Sequence, residues 1–179
     1  MRKESWNDGE GGGRRAPGGA MGTLTFENLG EVAELVRRFE ACSLPAKGWN
    51  HAARLTVALW YLLDREEWQA TEGFIQGLRR YNRVHGLQVR WESGYHETLT
   101  LFWLAVARRF LERSPLGMPP LLLINRFLRE YGDRPGLVFE HYRKQTLRSQ
   151  EARYFWVEPD LKPLDPEPTG DRSRPASGL

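Results

Sequence analysis

Two stretches of the chain are apolar almost all the way round a helix, and they constrain the fold more than any other feature. The first runs from Leu55 through Val57, Ala58, Leu59, Trp60, Tyr61 and Leu62 to Leu63. The second runs from Leu99 through Leu101, Phe102, Trp103, Leu104, Val106, Ala107 and Phe110 to Leu111. A helix of that kind has no broad polar face to turn to water, so its place is the centre of a bundle with other helices packed round it.

The punctuation around these stretches divides the chain into six helical segments. Asn28 and Glu31 make a capping-box pair at the head of the first, which runs to about Cys42 with Leu29, Val32, Leu35, Val36 and Phe39 on one stripe. Pro45 and Gly48 break the chain, and Asn50 then caps a second helix reaching about Asp64. A third spans about Glu66 to His85, with Ala70, Phe74, Ile75, Leu78 and Tyr81 as its stripe, and stops at Gly86. Ser93 is expected to cap the fourth, which continues to just before Pro115. A fifth follows Pro119-Pro120, and a sixth covers about Gly136 to Leu147, with one further turn over Ser149 to Tyr154. No period-two pattern and no internal repeat interrupts this order. The expected fold is all-α: a compact single-domain bundle of about six helices.

The ends of the 179-residue chain have a different composition. Residues 1–22 are Gly-rich and residues 165–179 are rich in Pro and Asp, and neither buries enough apolar surface to offset the entropy of ordering. Both are expected to be disordered tails around a helical domain of residues 23–164. Met21 offers an alternative start that removes only the Gly-rich leader. The leader has no apolar signal-peptide core, and no run of about 18 apolar residues exists, so a soluble, cytoplasmic protein without membrane association is expected. Cys42 is the only cysteine, which rules out an internal disulfide or a Cys-based zinc site. The net charge of +3 is spread among interspersed acids, and the Arg37-Arg38, Arg79-Arg80 and Arg108-Arg109 pairs read as solvated helix faces. A nucleic-acid partner is not expected.

Each of the two central helices opens with polar groups that do not suit its interior position. The second begins Asn50-His51-Ala52-Ala53-Arg54, with His51 and Arg54 on one face; the fourth begins Tyr95-His96-Glu97-Thr98-Leu99-Thr100, with His96 and Thr100 on one face. If consecutive helices alternate in direction, these two are parallel and their N-termini share one end of the bundle. His51, Arg54, His96, Glu97 and Thr100 then converge beside two positive helix ends, a setting for an anion held bidentately by Arg54. The same convergence suits a divalent metal held by His51, His96 and Glu97. Against both stands the structural alternative: a first-turn His bonding a carbonyl, Glu97 answering the dipole, and Thr98 and Thr100 bonding back to the helix.

The motifs Trp49-Asn50-His51, Leu55-Thr56-Val57-Ala58, Arg80-Tyr81-Asn82, Tyr95-His96-Glu97-Thr98-Leu99-Thr100, Glu151-Ala152-Arg153 and Pro159-Asp160-Leu161 together resemble a group of uncharacterised small bacterial all-helical proteins. That group carries an aromatic-x-His-x-x-His segment, a Tyr-His-Glu-Thr segment and a C-terminal Glu-Ala-Arg … Pro-Asp-Leu segment. The resemblance covers residues 23–164 and marks His51, Tyr95, His96, Glu97, Thr98, Glu151 and Arg153. It implies a fold and positions, not an activity. This chain departs from the pattern at Arg54, where the second histidine would stand. A guanidinium does not ligate metal but does hold anions, so the departure favours an anionic ligand.

Three functional readings follow. The first is a small anionic molecule bound by His51, Arg54, Tyr95, Thr98, Thr100 and Arg153, with His96 and Glu97 as the acid–base candidates if the site is catalytic. The second is a non-enzymatic helical protein–protein interaction module, which predicts an exposed apolar patch and no convergent polar pocket. The third is the mononuclear metal site. Pro159 and Pro163 favour an extended path that lays the closing segment back over the bundle, with Arg153 reaching toward Glu97.

Overall fold

The computed structural model describes residues 25–87 and 94–164; the two expected tails and Ser93 lie outside the described residues. Five long helices form the body: α1 Leu29–Glu40, α2 His51–Asp64, α3 Glu67–Val84, α4 Glu97–Glu112 and α5 Pro120–Tyr131. Three short helices follow: α6 Val138–His141, α7 Lys144–Leu147 and α8 Gln150–Tyr154. A 3-10 turn over Pro135–Leu137 runs straight into α6, and no strand occurs among the described residues. The fold is an all-α bundle.

The caps act where the side-chain chemistry places them. Asn28 accepts from the Glu31 amide, and Glu31 returns a carboxylate to the Glu27 amide, one residue ahead of the usual reciprocal partner. Asn50 caps α2 through the Ala53 amide at 2.9 Å. At the end of α3, Leu87 donates to the Asn82 carbonyl and Gly86 to that of Arg83, with Gly86 at φ +62, the paired bonds of a Schellman turn. The end of α1 repeats this geometry with Cys42 in the left-handed position at φ +53.

α2 is the axle of the fold. One side of it, with Leu55 and Leu59, packs in a core with Phe102, Val106 and Phe110 of α4 and Ile124, Phe127 and Leu128 of α5. Its other side, with Ala53, Val57, Ala58 and Tyr61, packs in a second core with Val36 and Phe39 of α1 and Phe74, Leu78 and Tyr81 of α3. α1 and α3 come close enough that a Cβ at Gly77 would lie 2.8 Å from the Phe39 ring.

Hydrogen bonds between helix ends fix the directions. His85, closing α3, bonds the Cys42 carbonyl just past α1 at 3.0 Å, and Arg80 donates to the Glu40 carbonyl. His51, opening α2, bonds the Tyr131 carbonyl at the end of α5. The C-terminal ends of α1, α3 and α5 therefore lie with the N-terminus of α2, the alternation expected of short connections.

Two expectations are corrected. The sixth helix is not continuous from Gly136 to Leu147: it breaks at Tyr142, whose backbone is extended at φ −129 and ψ 140. The fully buried Tyr142 ring and its hydroxyl, which donates to the Val157 carbonyl at 2.7 Å, fix that break. The Arg143 amide goes to the Asp160 carboxylate. α4 is capped by His96 rather than by Ser93, so it begins at Glu97, with the His96 ring accepting from the Leu99 amide.

The closing segment does return across the bundle. Thr98, buried on α4, donates to the Phe155 carbonyl and accepts from the Val157 amide. Further along, the Leu161 amide bonds the His141 carbonyl, and His141 Nδ1 pairs with the Lys162 carbonyl.

A basic pair of cavities at the heads of α2 and α4

His51 is the first residue of α2 and His96 the residue before α4, and both line the same two cavities. The first, about 140 Å³, lies among α2, α3 and α4 and is walled by Trp49, Leu55, Ala58, Phe74, Leu78 and Tyr95, with Asn82 and Thr100 also present. The second, about 440 Å³, lies toward α6 and α7 and brings in Phe139, Lys144, Leu147 and Arg148. His51, Arg54, His96, Leu99 and Trp103 belong to both walls, so the cavities adjoin. The described linings hold three formal cations, Arg54, Lys144 and Arg148, and no Asp or Glu.

Arg54 lies where the two cavities meet. Its guanidinium carbon stands 5.9 Å from the centroid of the Trp49 ring, and it makes no hydrogen bond or ion pair among the described residues. Trp49 is itself pinned, stacked on Phe39 at 4.6 Å and against Tyr81 at 5.2 Å. The residue keeps solvent exposure overall, yet protein closing round the guanidinium pulls its pKa down. A guanidinium remains charged across the physiological range regardless.

The two histidines are held differently. His96 uses both ring nitrogens: Nε2 donates to the Leu147 carbonyl at 2.9 Å, and Nδ1 accepts from the Leu99 amide at 3.3 Å. Its tautomer is set by those partners, and burial, with the Arg153 charge acting the same way, depresses its pKa. His51 donates through Nε2 to the Tyr131 carbonyl at 3.2 Å and packs edge-on to Trp103 at 4.6 Å. Its Nδ1 has no hydrogen-bond partner among the described residues. Burial lowers its pKa and the Arg54 charge adds to that, while the Tyr131 carbonyl and the nearby Asp133 carboxylate oppose it.

Of the residues expected at a shared site, His51, Arg54, Tyr95, His96 and Thr100 line the first cavity together. Glu97, Thr98 and Arg153 are not among the described lining. Helix geometry turns Glu97 and Thr98 away, since successive residues of α4 turn by about 100°, and Arg153 sits on α8. Glu97 meets the Tyr95 hydroxyl at 2.7 Å and Arg79 at 3.2 Å. Thr98 faces the closing segment rather than bonding back to its own helix, whereas Thr100 does bond back, to the His96 carbonyl. Arg153 donates to the Tyr95 carbonyl at 2.9 Å, not the contact expected with the Glu97 carboxylate.

The three-ligand metal set of His51, His96 and Glu97 is not assembled. No three His, Cys, Asp or Glu side chains gather as a metal-holding group among the described residues. Both Nε2 atoms face carbonyls, and the Glu97 carboxylate is taken by a phenol and a guanidinium. His96, proposed from sequence as the acid–base group, has neither ring nitrogen open.

Sequence reasoning missed Lys144, Arg148, Phe139 and Trp103 as parts of the site. Lys144 and Arg148 are four apart at a helix end, a spacing that puts two cations on one face, but their approach to α2 follows from the break at Tyr142. No helix among the described residues is long and apolar enough to cross a membrane. No family profile matches the chain, and no curated protein or solved structure matches it either.

Proposed function

We propose that the protein binds a small anionic molecule in the paired cavities at the heads of α2 and α4, with Arg54 as the principal charge partner. One observation carries the reading: Arg54 makes no ion pair or hydrogen bond among the described residues, beside cavities whose described walls contain no carboxylate. Two unit charges at 4 Å attract by about 1 kcal/mol in bulk water and by about 4 kcal/mol at the effective dielectric of a protein surface. A cation at a partly enclosed junction is therefore a far better anion site than one on an open face.

The other readings have less support. A metal site needs carboxylate or free imidazole donors converging on a point, and no such group gathers among the described residues. An interaction module called for no convergent polar pocket, whereas five of the expected site residues share one. Any proton transfer at this site falls to His51 Nδ1 rather than to His96, whose nitrogens hold the α4 cap and the Leu147 carbonyl. A cytoplasmic location accords with the single cysteine.

Calorimetric titration of the full chain with inorganic phosphate tests the reading. Saturable binding that Arg54→Gln weakens at least about tenfold, a loss of about 1.4 kcal/mol, is the expected result. Equal binding by both proteins, or none by the unaltered chain, overturns it.

A further inference from the structure

The two cavities differ in a way that narrows the ligand beyond its sign of charge. The first is walled mainly by aromatic and aliphatic groups: Trp49, Leu55, Ala58, Phe74, Leu78 and Trp103. Its volume of about 140 Å³ is close to that of an engineered apolar cavity, about 150 Å³, that takes up benzene. The second is three times larger and adds Lys144 and Arg148 to the shared Arg54. Two of these cations, Arg54 and Lys144, with no carboxylate in the described wall match more than one negative charge, which a phosphate ester carries near neutral pH and a single carboxylate does not.

Resting on the anion-binding reading above, we infer that the ligand is a phosphate monoester bearing one ring-sized apolar group, with the ring in the first cavity and the phosphate in the second. Arg54 bridges the two. Its guanidinium offers a planar fork to phosphate oxygens, while the Trp49 ring behind it stands 5.9 Å away and limits its freedom. Lys144 supplies a point charge on the far side. Its Nζ lies 5.6 Å from the Phe139 ring, so an aromatic surface also flanks the phosphate end.

The probes are phenyl phosphate, inorganic phosphate and benzoate, titrated into the full chain and into two variants whose folding is checked by thermal unfolding. Asn82→Phe fills the ring cavity from its half-buried rim; Lys144→Gln removes a charge from the exposed side. Phenyl phosphate should bind at least about tenfold more tightly than either inorganic phosphate or benzoate. Asn82→Phe should erase the advantage of phenyl phosphate over inorganic phosphate. Lys144→Gln should shrink the advantage over benzoate. If phenyl phosphate binds no better than inorganic phosphate while Arg54→Gln still weakens both, the ring assignment is wrong and the anion site stands. If benzoate binds as well as phenyl phosphate, the phosphate assignment is wrong. If none of the three binds, both this inference and the reading beneath it fail.

Discussion

The His96 imidazole donates to the Leu147 carbonyl at 2.9 Å, joining the head of α4 to the end of α7 across 51 residues of sequence. Its other nitrogen caps α4 through the Leu99 amide. The ring needs Nδ1 unprotonated to cap and Nε2 protonated to reach Leu147, so the neutral tautomer is the one that serves both bonds.

A pH dependence of stability follows. Burial lowers the pKa of both His96 and His51 below the ordinary value of 6.5, so below about 6.5 the unfolded chain binds protons that the folded chain does not. Stability should be full above that value and fall as pH drops below it, levelling off only beneath the depressed folded values. Thermal unfolding from pH 8 to pH 5 should show the decline. His96→Asn, which keeps a capping acceptor but cannot titrate, should flatten it. A steeper decline in the variant would contradict the assignment.

Thr98 fastens the closing segment by donating to Phe155 and accepting from Val157 at a fully buried position. Thr98→Val keeps the shape and removes both bonds, leaving two backbone groups to find other partners. A loss of about 1–3 kcal/mol is expected, together with faster proteolysis after α8. Unchanged stability would mean that Pro159, Pro163 and the Tyr142 hydroxyl hold the segment without it.

Two positions reverse ordinary helix preferences. Gly77 sits inside α3, where alanine is normally better by about 0.5–1 kcal/mol, yet Gly77→Ala should destabilise by about 1–3 kcal/mol because its Cβ meets the Phe39 ring at 2.8 Å. Cys42 occupies a left-handed position that favours glycine, so Cys42→Gly should stabilise by about 0.5–1 kcal/mol. Chemical denaturation measures both, and a shift of opposite sign in either refutes that half of the argument.

Much of the fold was legible because the body of the bundle obeys local rules. The stripes of α1 and α3, the Pro119-Pro120 start of α5, the all-round apolar character of α2 and α4, and the caps at Asn28, Asn50 and Gly86 each state a helix and its limits. What was illegible came from long-range contacts. Tyr142 leaves the helix because its ring is buried and its hydroxyl finds Val157, and no residue near position 142 announces that. His96 as an N-cap was hidden because imidazole is not a favoured capping group. The site followed the same division. His51, Arg54, His96 and Thr100 came from the alternation of helices and Tyr95 from the resemblance, while Lys144 and Arg148 came from tertiary placement of a short helix.

On the proposed reading, Arg54 is held for a ligand rather than for the fold. A cation with no ion pair in protein surroundings contributes little to folding, and residues kept for binding often cost stability. The direct measurement is thermal unfolding of the unaltered chain and of Arg54→Met, each with and without phenyl phosphate. Without ligand, the variant should melt at the same temperature or higher; with ligand, only the unaltered chain should shift upward. A variant that melts several degrees lower without ligand, or that shifts as much with it, would show that Arg54 serves the fold or that the ligand does not depend on it.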